Sequence, residues 1–159
     1  MRSKVVGAGA GAGVGVGVGL GPDRKAPWHL RVVAVVSLLW NGSGAYTIMM
    51  AQAGRLYDLE PGEAAYYAAQ PVWFVVLTDI ALVAAIAAAL SLLLRRSMAV
   101  WLFALSLTAI VITNGYEFAT ATSRALLSRG ALIVTVIIIL TAIFELAYAR
   151  AMERRATLT

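Results

Sequence analysis

Apolar positions fall into four long blocks, residues 30–50, 72–94, 98–118 and 131–149, separated by short polar or basic stretches. A helix rises about 1.5 Å per residue, so about 20 residues reach across a hydrocarbon core of roughly 30 Å. The pattern predicts four transmembrane helices. The plainest is 72–94, VWFVVLTDIALVAAIAAALSLLL, bounded by Pro71 and the Arg95-Arg96 pair and carrying one charge, Asp79. An ionised carboxylate at that depth costs about 2.5 to 3.5 kcal/mol on an insertion scale unless something answers it.

Within each block, residues three and four apart share a helix face. Ala81, Ala84, Ala85, Ala88 and Ala89 make a small-residue stripe suited to close helix contact, with Asp79 projecting from the opposite side, toward a second packed face or a partner chain. Ser37, Asn41, Gly44 and Ile48 fall together in the first block. There Asn41 is expected to bond across helices, and Gly42 and Gly44 to allow close approach or a kink. Ser106, Thr113 and Glu117 line the third, with Asn114 beside them, and their hydroxyls can bond back to their own helix. Thr141, Glu145 and Tyr148 line the fourth. Glu145 lies near one end, where a snorkelling acid would pair with Arg150, Arg95 or Arg96.

The connections carry their own signals. Gly54 can end the first helix, and Glu60-Pro61-Gly62-Glu63 reads as the start of a short surface helix, with proline at its first position and acids in its first turn. Tyr66, Tyr67 and Trp73 then suit an interfacial aromatic belt. Arg95, Arg96 and Ser97 form a tight turn, and 119–130 is expected to be a helical extension ending at Gly130. Residues 1–27 hold a strict alternation of glycine from Gly7 to Gly21, which favours a flexible tail: glycine has a large ordering entropy and little to bury. The same glycine dilutes the apolar stretch a secretory signal needs. The organisation is thus a glycine-rich tail (1–27), one membrane domain (28–155) and a C-terminal tail (156–159).

Composition agrees with the block pattern: at 61% hydrophobic and 13% charged, the chain is too apolar for an ordinary soluble domain. The lack of cysteine excludes disulfides and thiolate chemistry, and a single histidine, His29, excludes a bis-histidine haem site. No cofactor or metal is expected. The net charge of +5 does not form a nucleic-acid patch, because the basic residues flank the apolar blocks. Counted by side, Arg2, Lys4, Arg24, Lys25, Arg31, Arg95, Arg96, Arg150, Arg154 and Arg155 lie on the side of the termini, ten against three, Arg55, Arg124 and Arg129, on the other. That bias predicts both termini in the cytoplasm.

Depth suggests a site. Asn41 falls near mid-membrane, Asp79 a little outside it, and Asn114 and Glu117 further out, so these four are expected to form one polar cluster in the outer half, with Glu145 a second candidate acid. Amides or a small outward vestibule would then answer Asp79.

WNGSGAYTIMMAQ (residues 40–52), LEPGEAAYYAAQPVW (59–73) and LLLRRSMAVWLFALSL (92–107) resemble small four-helix bacterial inner-membrane proteins of uncertain role, often labelled sugar transporters. The resemblance covers about residues 30–155 and rests on Trp40-Asn41 with Gly44, Pro61-Gly62-Glu63 and the paired arginines. Members commonly carry an acid soon after the glycine corresponding to Gly44. Here Tyr46 and Thr47 stand there, so no such acid is carried over.

The fold expected is an all-α, antiparallel four-helix membrane bundle with a short outer surface helix. The function expected is non-enzymatic: a binding or accessory component whose partners are the lipid bilayer and a second copy or another membrane protein, with no nucleic acid. The alternative is a small-solute transporter, sugar-like or proton-linked, acting as an oligomer, since four helices alone make a narrow path. An acid/base pair of Asp79 and Glu117 would need a nucleophile, metal or cofactor beside it, and no motif supplies one.

Overall fold

The computed structural model describes residues 27–55, 61–120, 129–155 and 157–158. Five helices follow one another: α1 (Trp28–Gln52), α2 (Pro61–Ala68), α3 (Val72–Leu93), α4 (Met98–Ala119) and α5 (Arg129–Arg154). Four of them, all but α2, are long and apolar enough to cross a membrane. The glycine-rich tail and most of the 119–130 connection lie outside the described residues. Gly130, expected at the end of a helical extension, instead lies in the first turn of α5.

Prolines set the entries. Pro27 and Pro71 precede α1 and α3 with φ of −61° at both, and their carbonyls accept from Leu30 and Phe74 at 3.0 and 2.9 Å. A proline ring fixes that torsion and brings no N–H to be satisfied, so it suits a helix entry inside apolar surroundings. The exits of α1 and α3 share one motif. At the first, Gly54 adopts φ +63°, and Arg55 N–H reaches back to Met50 while Gly54 N–H reaches Ala51. At the second, Arg95 takes the left-handed place with φ +62°, Arg96 N–H bonding Ser91 and Arg95 N–H bonding Leu92. Both satisfy carbonyls that a helix end leaves orphaned. Arginine at that place costs about 1 to 2 kcal/mol, which its side chain can offset by bonding elsewhere.

The helices run up and down. α3 packs along α4, α1 lies against α3, and α5 lies against α4. In lipid no hydrophobic force draws helices together, so close approach of small residues and interhelical hydrogen bonds must do it. The alanine stripe supplies that approach: Ala81, Ala84, Ala85, Ala88 and Ala89 are all buried inside the monomer. Ser106 adds the bond, its hydroxyl donating to the Ala81 carbonyl across the α3–α4 seam at 2.8 Å. The glycines of α1 behave differently from expectation. α1 is continuous, and a Cβ placed on Gly42 or Gly44 would meet nothing within 4 Å, so neither serves close packing within the monomer.

The main core lies toward the end where α1 starts, α3 turns into α4 and α5 finishes, the terminal end. Leu30, Ala34, Ala88, Ala89, Leu92, Ala99, Val100, Phe103, Leu146, Ala149 and Met152 pack there. The chain's last residues join them. Thr157 N–H bonds the Met152 carbonyl at 3.1 Å, Arg95 Nε donates to the Thr157 carbonyl at 3.1 Å, and Leu158 is buried in the core. At the opposite, α2 end, α5 is loosely held: Ile133, Val134, Val136, Ile137 and Ile138 are exposed, as a lipid-facing surface requires.

Candidate functional site

Polar side chains gather in two places inside this bundle. The first is at the α2 end. Pro61 opens α2, whose one and a half turns past Glu63 carry Tyr66 over the mouth of the bundle, and the chain then re-enters at Pro71. A cavity of about 120 Å³ results, lined by Tyr66, Ala69, Gln70, Pro71, Phe74, Tyr116, Glu117 and Thr120. The Tyr66 hydroxyl donates to Glu117 Oε1, which joins α2 to the end of α4. Burial first, and then the Glu117 carboxylate that its proton serves, push the Tyr66 phenol well above the ordinary phenol range, while the Gln70 amide acts the other way. Gln70 Oε1 itself is enclosed and accepts no hydrogen bond among the described residues. The aromatic wall is ordered: Trp73 stands edge-on to Tyr116 with ring centroids 4.8 Å apart, and Phe74 lies 5.8 Å from Tyr116.

The second place is midway down the α1–α5 side. Asn41 Nδ2 donates to Glu145 Oε1 at 2.9 Å and to the Ser37 carbonyl, also at 2.9 Å, so one amide ties the carboxyl to the α1 backbone. Glu145 is 3% exposed and Ser37 5%. Further toward the terminal end, the Tyr148 hydroxyl and His29 Nδ1 are 2.6 Å apart, so α1 and α5 meet through long side chains. A carboxyl group without such partners at this depth would leave its lone pairs unanswered, at a cost of about 1 to 3 kcal/mol or more.

The expected single cluster of Asn41, Asp79, Asn114 and Glu117 does not form. Asn41 turns to Glu145. Asn114 bonds back to the Ile110 carbonyl of its own helix at 2.8 Å, as Thr113 does to Ala109 at 3.0 Å. Glu117 meets Tyr66. Asp79 is half-buried, and its Oδ1, like Thr78 Oγ1 beside it, is enclosed without a hydrogen-bond partner among the described residues. Glu145 departs from expectation as well: among the described residues its hydrogen-bond partner is Asn41, in place of Arg150, Arg95 or Arg96.

The physical reason is rotation. Helical period says which residues share a face, but the azimuth of each helix is set by where its small residues let a neighbour approach. The alanine stripe turns α3 so that its stripe meets α4, which leaves Asp79 at the flank, and Asn41 faces α5. Gln70 and Tyr116 had no role in the sequence reading. The signal for Gln70 was its place, the last polar residue before a proline that starts a span. Only the fold of α2 brings Tyr116 and Gln70 to one wall. Comparison with known proteins finds no matching family model, no matching curated protein and no matching solved structure.

Proposed function

We propose that this multi-pass membrane protein is a non-enzymatic binding or accessory component of a bacterial inner membrane, with its binding site in the α2-end cavity. The observation that carries this reading is the contrast beneath that cavity. From Ala81 a buried seam of small residues continues through Ala84, Ala85, Ala88 and Ala89 to Leu92 and the core. A cavity with polar groups in an aromatic wall, seated above that packed seam, suits holding a ligand or a partner at one surface. The acids Glu117 and Glu145 are each engaged by a donor, Tyr66 and Asn41, which suits positioning more than turnover. The ten-to-three bias of basic residues supports cytoplasmic termini and an outward-facing cavity.

The test is what stays with the full-length protein when it is extracted from its own membrane in mild detergent. A discrete protein or lipid retained in fixed ratio is the expected result. A solitary monomer that retains neither, and binds no added small molecule, would remove the proposal. A labelled cysteine at a terminus, shielded from an impermeant reagent in intact cells, is expected for the proposed threading.

A second reading, an oligomeric small-solute transporter, is favoured by one observation: Asp79 Oδ1 and Thr78 Oγ1 are enclosed polar atoms inside a span, without partners among the described residues. Reconstituted vesicles decide it. Solute uptake above empty vesicles that is lost in Asp79→Asn supports transport, and absence of flux for sugars and small acids removes it.

A further inference from the structure

Resting on the reading that the α2-end cavity binds something, we infer that its ligand is a primary ammonium group, presented either by a free small amine or by the headgroup of an aminophospholipid. Two acceptors belong to side chains that line this space, the carboxylate of Glu117 and Oε1 of Gln70, the latter enclosed and without a hydrogen-bond partner among the described residues. The Tyr66 hydroxyl already gives its proton to Glu117 Oε1, and Thr120 Oγ1 bonds the Glu117 carbonyl at 3.3 Å. An ammonium has three donors and no acceptor, which suits a carboxylate and an amide oxygen together.

Size and walls narrow the class. The cavity of about 120 Å³ is about four times the roughly 30 Å³ that one water occupies in the liquid, room for a group of a few non-hydrogen atoms. Phe74 and Tyr116 line it, and Trp73 stands edge-on to Tyr116, so the apolar wall is aromatic and electron-rich, which attracts a cation. A carboxylate or phosphate would meet Glu117 with like charge. A hard metal ion calls for about six or more oxygen ligands, and the lining side chains offer fewer. The cavity sits where α3 enters and α4 leaves the apolar region, the headgroup level, so a lipid ammonium reaches it without leaving the bilayer.

The experiment uses the full-length protein in lipid nanodiscs of phosphatidylcholine and phosphatidylglycerol, titrated with ethylammonium chloride and read by tryptophan fluorescence, with Trp73→Phe identifying the reporter. Ethanol, propionate and sodium chloride at matched concentration are the controls. A saturable change specific to ethylammonium, weakened at least tenfold in Glu117→Gln and in Gln70→Leu, is expected. Tyr66→Phe, which spares both acceptors, should keep saturable binding and guards against a variant that merely unfolds. Exchanging phosphatidylcholine for phosphatidylethanolamine separates the sources: competition that raises the ethylammonium midpoint supports the lipid headgroup, and an unchanged midpoint supports the free amine. Saturable binding of propionate or ethanol instead, sensitive to the same variants, would overturn the ammonium assignment while leaving the cavity a binding site. No saturable response to any of these probes would overturn both.

Discussion

The two ends of this bundle are built from the same kinds of helix and yet do opposite things. At the terminal end, helices, turn and C-terminal residues close on one another: Phe103 is 2% exposed, Ala88, Ala89, Ala99 and Ala149 show no exposed surface, and Leu158 caps the core. At the α2 end a cavity stands open among aromatic and polar side chains, and the α5 residues from Leu132 to Val134 lie exposed. The difference teaches where stability and recognition are kept. Small residues and alkyl side chains fill space and hold the fold, while the enclosed acceptor and engaged carboxylate of the other end leave something for a ligand to complete.

The contrast can be broken most sharply with a truncation at each end. Phe103→Ala should lose about 3 to 5 kcal/mol, the usual cost of removing a fully packed ring, in denaturant unfolding from detergent micelles. Tyr116→Ala should lose clearly less. Equal losses would mean that the α2 end is as firmly packed as the other. Next in size is overfilling the seam: Ala88→Leu, at a position with no exposed surface, should cost about 1 to 3 kcal/mol and loosen α3 from its neighbours. A neutral result would place the α3–α4 contact elsewhere.

The α1–α5 polar pair should matter less, because polar contacts in membranes average about 0.6 kcal/mol and reach about 1.7. Asn41→Leu is expected at the upper part of that range, since it takes from Glu145 the amide that donates to it, and Asn41→Leu combined with Glu145→Leu should recover most of the loss in a double-mutant cycle. Additive single effects would show that the two side chains are not coupled.

The smallest effect belongs to pH. Tyr66 has a folded value above the ordinary phenol value of about 10, so its bond to Glu117 contributes stability that is whole below pH about 10 and is lost only as pH rises through the higher folded value. The ultraviolet tyrosinate difference spectrum between parent and Tyr66→Phe should therefore stay flat through pH about 10 and diverge above it. A titration step near 10 would mean that Tyr66 is solvated and the cavity is wide open.

Much of the fold was legible beforehand. The four spans, the α2 start at Pro61, the α1 exit at Gly54 and the alanine stripe all appear as read from residue type and spacing, because each depends on local chemistry: apolar run length, ring-locked torsions, a left-handed glycine, small side chains at helical period. Helix ends were less so. α5 continues to Arg154, beyond the expected 149, since its last turns bury Ala149 and Met152 in the core. The candidate site was the least legible. Asn41, Asp79, Asn114 and Glu117 were grouped by depth alone, and depth does not say which way a side chain points about its helix.

By itself, the sequence determined that this is a chain of four membrane-crossing helices, where each is interrupted, and which residues would be costly to leave unanswered. Only the tertiary structure decided the answers: Asn41 to Glu145, Tyr66 to Glu117, Asn114 to its own backbone, and Gln70 Oε1 to no donor among the described residues. The reason is that burial and turn chemistry act over a few neighbouring residues, whereas the pairing of polar groups across helices depends on the rotation of each rod about its axis, and that rotation is settled jointly by every contact along the seam.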